Sequence, residues 1–209
     1  MPADRAPSIL ITGIHSASGL AISHRFRNGG WFVIGCDQGV MTGRNARVHI
    51  TADLTNDEDC RRAVKKAAAL GNGLDCIVNN ADIRLDGPVD EIDTRAWDVM
   101  MDVNAKSMFM LATAGMPYLE QEHGTIVAVA PSPSDDERVE HAVFDATRAA
   151  VIALMGSLAT ELAPRGVGVH VVMPDSDAGA LTPEEIADQV WAVASVDEHG
   201  HERSFAHSH

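Results

Sequence analysis

The clearest chemical motif in the sequence is a glycine-spaced turn near the N-terminus. Gly13 and Gly19 bracket a short polar stretch that follows one apolar run and opens a helix-like segment. In that context glycine lets backbone N–H groups approach a pyrophosphate held at the helix N-terminus. Asp37 ends the next apolar run, where a carboxylate can bind a ribose 2′-hydroxyl and repel a 2′-phosphate. Together these residues predict a nucleotide site that takes NAD rather than NADP.

The same residues also admit a purely structural interpretation. Gly13 and Gly19 can simply allow a strand and a helix to pack tightly, and Asp37 can cap a loop. The sequence leaves both interpretations open, because a glycine-spaced turn alone is a weak motif. Whether the turn descends from a nucleotide site and whether it binds a nucleotide today are therefore separate questions.

The elements that would position this turn alternate regularly along the chain. Short apolar runs and longer helix-period segments follow one another, which predicts an α/β fold with a doubly wound parallel sheet. We expect six strands, at Ser8–Thr12, Trp31–Cys36, Val48–Ala52, Leu74–Asn79, Gly124–Ala130 and Val167–Met173.

Helices are expected between those strands. We expect them to begin near Gly19, Asp57, Thr94 and Arg138, with a last helix at Pro183–Ala194. The polar segments Pro131–Glu137 and Pro174–Thr182 are predicted to be exposed and mobile. One domain is expected over residues 1–195, followed by a flexible His-rich tail over 196–209.

Composition narrows the range of partners. The chain of 209 residues carries 30 acidic and 16 basic side chains, for a formal charge of -14. Such a charge repels nucleic acid and anionic lipid, so neither nucleic acid nor a membrane is an expected partner. The three cysteines lack metal-type spacing, and no metal site is predicted from them or from the terminal histidines. These features favour a cytoplasmic protein.

Further motifs lie downstream in a familiar order. Asn79-Asn80-Ala81 follows the fourth predicted strand, Asp53 follows the third, and Asn104 ends the triplet Asp102-Val103-Asn104. With the glycine turn, these motifs resemble the short-chain dehydrogenase/reductase family from about Ser8 to Met173. The resemblance implies a single-domain Rossmann-like fold and a nicotinamide cofactor bound near Gly13, Ala17, Gly19, Asp37, Asp53, Asn80 and Ala81.

The departures from the family concern its reactive groups. In the family a tyrosine hydroxyl, acidified by a lysine, exchanges the substrate proton while a serine holds the carbonyl oxygen. The resemblance places Phe144 at the tyrosine, Arg148 at the lysine and Pro131 at the serine. Ser132 is adjacent to Pro131, but a slip of one residue at a strand end redirects a side chain. Of the catalytic set only Asn104 matches, so these positions are expected to be degenerate.

Two more departures touch the cofactor. Ala17 replaces the middle glycine of the phosphate turn, where a methyl group crowds a pyrophosphate. Asp82 replaces the glycine that normally follows Asn79-Asn80-Ala81 and adds a negative charge beside the expected nucleotide path. Both changes predict weaker binding of a dinucleotide in the usual pose.

The C-terminal part also departs from the family. Pro174-Asp175 stands for the usual Pro-Gly, the substrate-covering helices are expected to shrink to Asp175–Leu181, and we expect the fold to be truncated at this end. The resemblance implies oligomers, and the contact expected here uses the helices over residues 94–119 and 138–162. Its partner would be a second copy of the chain or an active member of the family.

Three functions are consistent with these observations. The first is a catalytically inactive family member that acts as a partner or scaffold subunit of an active oxidoreductase, without independent activity. The second is a divergent NAD-dependent oxidoreductase, of the ketoreductase or alcohol dehydrogenase type, in which Ser132, Asn104, Asp82 or water supplies the proton path. The third is a sensor that binds NAD(H) without turnover.

Overall fold

A six-stranded parallel sheet forms the centre of the molecule, with helices on both faces. The computed structural model describes residues 5–39, 48–130, 141–176 and 179–195. The sheet order is β3-β2-β1-β4-β5-β6. Its strands are β1 Ser8–Thr12, β2 Phe32–Asp37, β3 Val48–Thr51, β4 Cys76–Asn79, β5 Thr125–Val129 and β6 Gly168–Val172. β2 and β3 lie on one side of β1, and β4 to β6 lie on the other. The strand order therefore switches between β1 and β4, and α/β sheets of this kind hold ligands at such a point.

Within the residues that the structure describes, six α-helices cover the sheet. They are α1 Ala17–Asn28, α2 Asp57–Gly71, α3 Thr94–Met100, α4 Ser107–Glu122, α5 Ala142–Leu162 and α6 Pro183–Ala194. A π-helical segment, Met101–Lys106, joins α3 to α4. The first-turn N–H groups of α1, α2 and α6 are capped by Ser16, Asn56 and Thr182, so these helix starts are fixed by local sequence.

Side-chain alternation along the strands divides the core between the two faces. Leu10 points to the layer shared with α2, α4 and α5, whereas Ile9 and Ile11 point to the layer shared with α1 and α6. On the second face Phe26 of α1 packs edge-on against Trp191 of α6, with ring centroids 5.1 Å apart. Both faces of the sheet are therefore buried, as a doubly wound parallel sheet requires.

The six predicted strands are present, each within two residues of its expected bounds. The helix starts differ more. The first helix begins at Ala17 rather than near Gly19, because the Ser16 side chain caps it. Helix α5 begins at Ala142 rather than near Arg138, because His141 has a non-helical backbone. The helices at Asp57, Thr94 and Pro183 begin where they were predicted.

The segment predicted to be a mobile loop at Pro174–Thr182 contains regular structure. Asp175–Ser176 pairs antiparallel with Gly179–Ala180 in a two-stranded hairpin. The sequence prediction missed it because two-residue strands show no alternation of apolar and polar positions. The other predicted loop, Pro131–Glu137, and the His-rich tail lie outside the described residues.

One helix in the described part of the chain is long and apolar enough to span a membrane by length and composition alone. It covers Ala142–Arg165, that is α5 and the turn after it. A single helix of this kind is weak evidence, since core helices of other proteins pass the same test. Here α5 packs against β6 and the π-helical segment, and 28% of its apolar stretch is buried.

Candidate functional site

The glycine turn connects β1 to α1 and packs directly on the chain that follows β4. Gly13 has a φ of +61°, and a Cβ there would lie 2.8 Å from the Ala81 Cα. A Cβ on Gly19 would lie 2.3 Å from the Gly13 carbonyl oxygen. Both glycines are therefore required by the folded turn itself, whether or not a phosphate is bound.

Asn80 joins this turn to the end of β4. Its Nδ2 donates to the Thr12 and Gly13 carbonyl oxygens at 3.3 and 3.1 Å and to Ser16 Oγ at 3.0 Å. Its Oδ1 accepts a hydrogen bond from Ser18 Oγ at 2.8 Å. The side chain is buried, so these bonds satisfy polar atoms that water does not reach. Asn80 thus fixes the shape of the turn.

A cleft of about 220 Å³ opens beside the turn, at the carboxyl ends of β1, β2 and β4. It is lined by Gly13, Ser16, Asp37, Gln38, Leu54, Asn80, Ala81, Asp82, Ile83 and Val103. Four predicted cofactor residues, Gly13, Asp37, Asn80 and Ala81, therefore meet in one space. The structure brings together the turn and the carboxylate whose proximity the sequence predicted.

Asp37 is held at the rim of this cleft by its neighbours. Its Oδ1 accepts from the Gln38 N–H at 2.8 Å, and its Oδ2 lies 3.3 Å from His15 Nδ1. The His15 ring stacks on His49, with centroids 5.3 Å apart. Burial, and next the adjacent His15, lower the pKa of His49 below its ordinary value. The sequence did not indicate this histidine pair, because His15 and His49 are far apart along the chain.

The remaining predicted cofactor residues lie around the cleft. Ala17 is the exposed first residue of α1, at the helix N-terminus where a phosphate would bind. Asp53 Oδ1 accepts from the Thr55 N–H and hydroxyl and from Gln38 Nε2. The hydrogen bonds from Thr55, and then that from Gln38, lower the pKa of Asp53. Asp53 therefore holds Gln38 at the cleft rim.

A second, much smaller cavity lies beyond Asp82, between β5 and α5. Its volume is about 20 Å³, which is room for roughly one water molecule. It is lined by Asn79, Ala81, Asp82, Asn104, Ala128, Val129, Ala130, Phe144, Thr147, Arg148 and Val151. Three of the four predicted catalytic positions, Asn104, Phe144 and Arg148, therefore converge here.

Phe144 and Arg148 line this cavity, and the Arg148 guanidinium stacks on the Phe144 ring. Phe144 is 3% exposed, and the Arg148 guanidinium carbon lies 3.9 Å from the centre of its ring. The ring also packs against Met100, Val143 and Ile83. This geometry is a cation–π contact, which stabilises the pair and fills the space around it. A phenylalanine ring at this position carries no exchangeable proton.

Asn104 is positioned by the π-helical segment and bound to the loop after β4. Its Oδ1 accepts from the Ile83 N–H at 2.8 Å, and its Nδ2 donates to the Ile83 carbonyl oxygen at 2.9 Å. Nδ2 also donates to Thr147 Oγ1 at 3.1 Å. Thr147 Oγ1 in turn donates to the Phe144 carbonyl oxygen at 2.7 Å. Both N–H groups of the amide are therefore used within the protein.

Thr147 is a site residue that sequence reasoning missed. Its hydroxyl is buried beside the small cavity and receives the Asn104 amide. A signal was present, because Thr147 lies four residues after Val143 on the buried face of an otherwise apolar helix. A buried hydroxyl on such a face usually has a specific partner.

Asp82 lines both spaces and lies between them. Its side chain is open to solvent on one side and surrounded by protein on the other. The surrounding protein raises the pKa of Asp82 above its ordinary value, and the opposite charge of Arg148 partly offsets that rise. The carboxyl group of Asp82 therefore borders both spaces.

The rim of the small cavity carries a further charged group. His141 Nδ1 lies 3.0 Å from Asp86 Oδ1, and Arg84 Nε donates to the same oxygen at 2.6 Å. The Arg84 guanidinium carbon is 5.3 Å from the Phe144 ring centre. Hydrogen bonds from Arg84 and His141 lower the pKa of Asp86. A second cation therefore flanks the phenylalanine ring.

Two predicted positions cannot be compared with the structure. Pro131 and Ser132 lie outside the described residues, as does the His-rich tail. Within the described ranges no group of three or more His, Cys, Asp or Glu side chains is arranged to hold a metal ion.

The two halves of a nicotinamide dinucleotide fit this site unequally. The Gly13 turn, the N-terminus of α1 and Asp37 surround a cleft suited to a ribose and its 5′-phosphates. The cavity where the family resemblance puts the reacting groups has room for about one water. The residues present therefore fit the nucleotide end, whereas Phe144 supplies no proton donor at the nicotinamide end.

Comparisons with known proteins agree with this architecture. The family model described as short chain dehydrogenase matches residues 7–188. An uncharacterized oxidoreductase of Staphylococcus aureus (strain N315) is 29% identical over 163 residues, which are 72% of this chain and 71% of that protein. The matched family region includes both the cleft and the small cavity.

Solved structures share the fold at lower identity. A 3-ketoacyl-(acyl-carrier-protein) reductase from Brucella melitensis, complexed with NADH, aligns with a TM-score of 0.83 and 23% identity over 91% of each chain. A metagenomic short-chain oxidoreductase in complex with NADP aligns with a TM-score of 0.81 and 23% identity, again over 91% of each chain. One neighbour holds NADH and the other NADP, so the preference for NAD inferred from Asp37 stays a prediction.

Proposed function

This chain belongs to the short-chain dehydrogenase family, and we propose that within it the chain is a catalytically inactive partner or scaffold subunit. It would assemble with an active member of the family, or with itself, and stabilise that partner or complete its site. Two features of the molecule support this role: a phenylalanine where the family has its proton donor, and apolar side chains exposed on the helices expected to form the subunit contact.

The stacked pair of Phe144 and Arg148 carries the proposal. A hydride-transfer enzyme of this family needs a positioned proton donor and space for a carbonyl substrate. Phe144 offers no exchangeable proton, and the cavity around it measures about 20 Å³. The Asn104 amide and the Thr147 hydroxyl, which line the same cavity, are engaged with each other and with the backbone. This arrangement supports a subunit without turnover of its own.

The helices expected to form the subunit contact expose apolar side chains. Phe109 of α4 is 54% exposed and Trp97 of α3 is 43% exposed. In α5, 28% of the apolar stretch is buried, and a Cβ on Gly156 would meet nothing within 4 Å. Exposed apolar helices of this kind are typical of protein interfaces. The partner expected on them is the same pair of helices from another family subunit.

Turnover measurements test the catalytic half of the proposal. The purified protein is incubated with a panel of aldehydes, ketones and alcohols and with NAD(H) or NADP(H). We expect no turnover above the uncatalysed rate, because the proton donor is missing. Robust turnover that is lost in Arg148→Ala would instead establish a divergent oxidoreductase and contradict the proposal.

Co-expression with active family members tests the subunit half. We expect a mixed oligomer with at least one of them, or a homo-oligomer, in size-exclusion chromatography coupled to light scattering. Phe109→Glu should disrupt it, because a charge would be buried in the contact. Leu70→Glu is the matched control, since Leu70 is 41% exposed on α2, outside these helices. A monomer under all conditions, or equal disruption by both variants, would contradict this contact.

The open cleft favours a second candidate role, a sensor that binds nucleotide and reports it through its partner. The cleft is lined by Gly13 and Asp37 and keeps a volume of about 220 Å³. Titration calorimetry with NAD, NADH and NADP tests it. Binding of NAD without turnover would support a sensor, whereas no binding of any nucleotide would leave the purely structural role.

A further inference from the structure

The helices expected to form the subunit contact expose apolar side chains over much of their length. Trp97 and Val99 of α3 are 43% and 38% exposed, and Phe109 of α4 is 54% exposed. The outward side of α5 carries small residues, with Ala149 and Ala153 both exposed. Exposed apolar area of this kind supplies the affinity of a protein contact, but it discriminates poorly between partners. The choice of partner therefore depends on the polar groups of the same helices.

Carboxylates dominate those polar groups. Asp98 of α3 and Glu161 of α5 are exposed, and Asp145 of α5 is half-buried. None of the three has a side-chain hydrogen bond or an ion pair with any residue that the structure describes. Their charges are therefore not neutralised within the subunit.

Cations on these helices are fewer, and most of them are already engaged. Lys106 Nζ donates to Asp102 Oδ1 at 3.0 Å, and the Arg148 guanidinium stacks on the Phe144 ring. Arg95 of α3 is exposed and, within the described ranges, has no ion pair. Over the described part of the contact helices, three uncompensated carboxylates thus stand against one uncompensated guanidinium.

A contact between two copies of this chain would double that negative excess. In a two-fold dimer both subunits use the same surface, so every carboxylate on it is brought in twice. Like charges around an apolar contact lower its affinity and favour a partner of opposite charge. The chain as a whole carries a formal charge of -14, which adds repulsion between copies at low salt.

We propose that the subunit bound by these helices carries an excess of lysine and arginine on its own matching helices, so that a mixed pair is preferred over a pair of identical chains. The inference rests on the subunit contact of the proposed function and chooses between its two partners. The apolar side chains hold the pair together, and the uncompensated carboxylates disfavour a second copy of the chain.

The salt dependence of self-association tests the repulsion. Sedimentation velocity of the wild-type protein is expected to show weak dimerisation at about 20 mM salt and about tenfold tighter dimerisation at about 500 mM salt, because added ions screen the like charges. A dimer affinity that is equal at both salt concentrations, or that falls as salt is added, would overturn the inference. In that case the two copies would not repel each other.

A charge-reversed copy of the chain serves as the basic partner. The double variant Asp98→Lys, Glu161→Lys converts two of the carboxylates into cations. At about 20 mM salt a mixed pair of wild type and this variant should bind about tenfold more tightly than two wild-type chains, and the gain should shrink to less than about twofold at about 500 mM salt. Thermophoresis with one labelled component measures both affinities.

The matched control reverses two charges elsewhere on the surface. Glu58→Lys, Glu184→Lys changes the net charge by the same amount, but on α2 and α6, away from the contact helices. Its mixed pair with wild type should gain less than about threefold, because distant charges are screened. Thermal unfolding checks that both double variants fold.

The outcomes separate this inference from the proposed contact. A tight wild-type dimer that is disrupted by Phe109→Glu and gains nothing with the charge-reversed copy would keep the contact and overturn the inference. Equal gains with the charge-reversed copy and with the control would also overturn it, since net charge alone would then explain the preference. No association in any combination, at either salt concentration, would remove the contact and the inference with it.

Discussion

The cleft beside Gly13 and the cavity around Phe144 lie on opposite sides of Asp82, and they depend on different kinds of contact. The cleft is shaped by the backbone turn and by Asn80, whose side chain bonds to Thr12, Gly13, Ser16 and Ser18. The cavity is shaped by side chains of α5 that stack on one another. The first region depends on backbone geometry and buried hydrogen bonds, and the second depends on an aromatic ring packed against a guanidinium.

This difference limits what the family motifs indicate about function. Gly13, Gly19 and Asn80 are explained by packing and hydrogen bonds alone, so their presence does not by itself argue for a bound nucleotide. A hydroxyl on the ring at position 144 would have no comparable structural role, because the Phe144 ring packs in an apolar cluster. Evidence for a ligand therefore comes from the volume of the cleft and from the Asp37 carboxylate at its rim.

The largest expected loss of stability is at the glycine turn, on the cleft side. Gly13→Ala should lower the free energy of unfolding by about 3 kcal/mol, because φ is positive and the new Cβ would clash with the Ala81 backbone. Urea denaturation measures it. Ala17→Gly is the control at the exposed start of α1 and should cost less than about 1 kcal/mol. Equal costs for the two substitutions would contradict the structural role of Gly13.

An intermediate loss of stability is expected at Asn104, where the two regions meet. Asn104→Ala should lower the free energy of unfolding by about 2 kcal/mol, since the Ile83 backbone loses both of its side-chain partners. Thr147→Val removes the bond from Asn104 and the bond to the Phe144 carbonyl oxygen but leaves both Ile83 contacts in place, and it should cost about half as much. Both values come from urea denaturation. A negligible loss of stability in Asn104→Ala would show that the Ile83 backbone does not depend on these two hydrogen bonds.

The smallest expected effect concerns Asp82. Its pKa is raised in the folded protein, so the fold favours the protonated carboxyl and loses stability as the pH rises through that pKa. Asp82→Asn should therefore raise the melting temperature at neutral pH. The rise is about 1 °C, because the carboxyl is open to solvent on one side.

A pH series provides the control for Asp82. Below the ordinary carboxyl value of 3.8 the side chain is protonated in both the folded and the unfolded chain, and the difference between wild type and Asp82→Asn should vanish. A lower melting temperature for the variant at neutral pH would mean that the carboxylate stabilises the fold through a favourable charge contact.

Sequence patterns predicted most of the framework because they report local physics. The strand runs, the capped start at Asp57 and the capping box at Thr182 each depend on neighbouring residues, and those elements lie close to where they were expected. The π-helical turn at Met101–Lys106 and the hairpin after Pro174 were missed. Both depend on tertiary packing rather than on a local repeat.

By itself the sequence determined the order of strands and helices, the glycine turn, Asp37 and the chemical nature of Phe144 and Arg148. Only the tertiary structure decided how much space these residues enclose. Volume depends on where side chains from distant segments meet, as Ile83 does with Asn104 and Arg148 with Phe144. A residue's chemistry is fixed by its type, but the space around it is fixed by packing, and in this molecule packing leaves about 220 Å³ beside the glycine turn and about 20 Å³ beside Phe144.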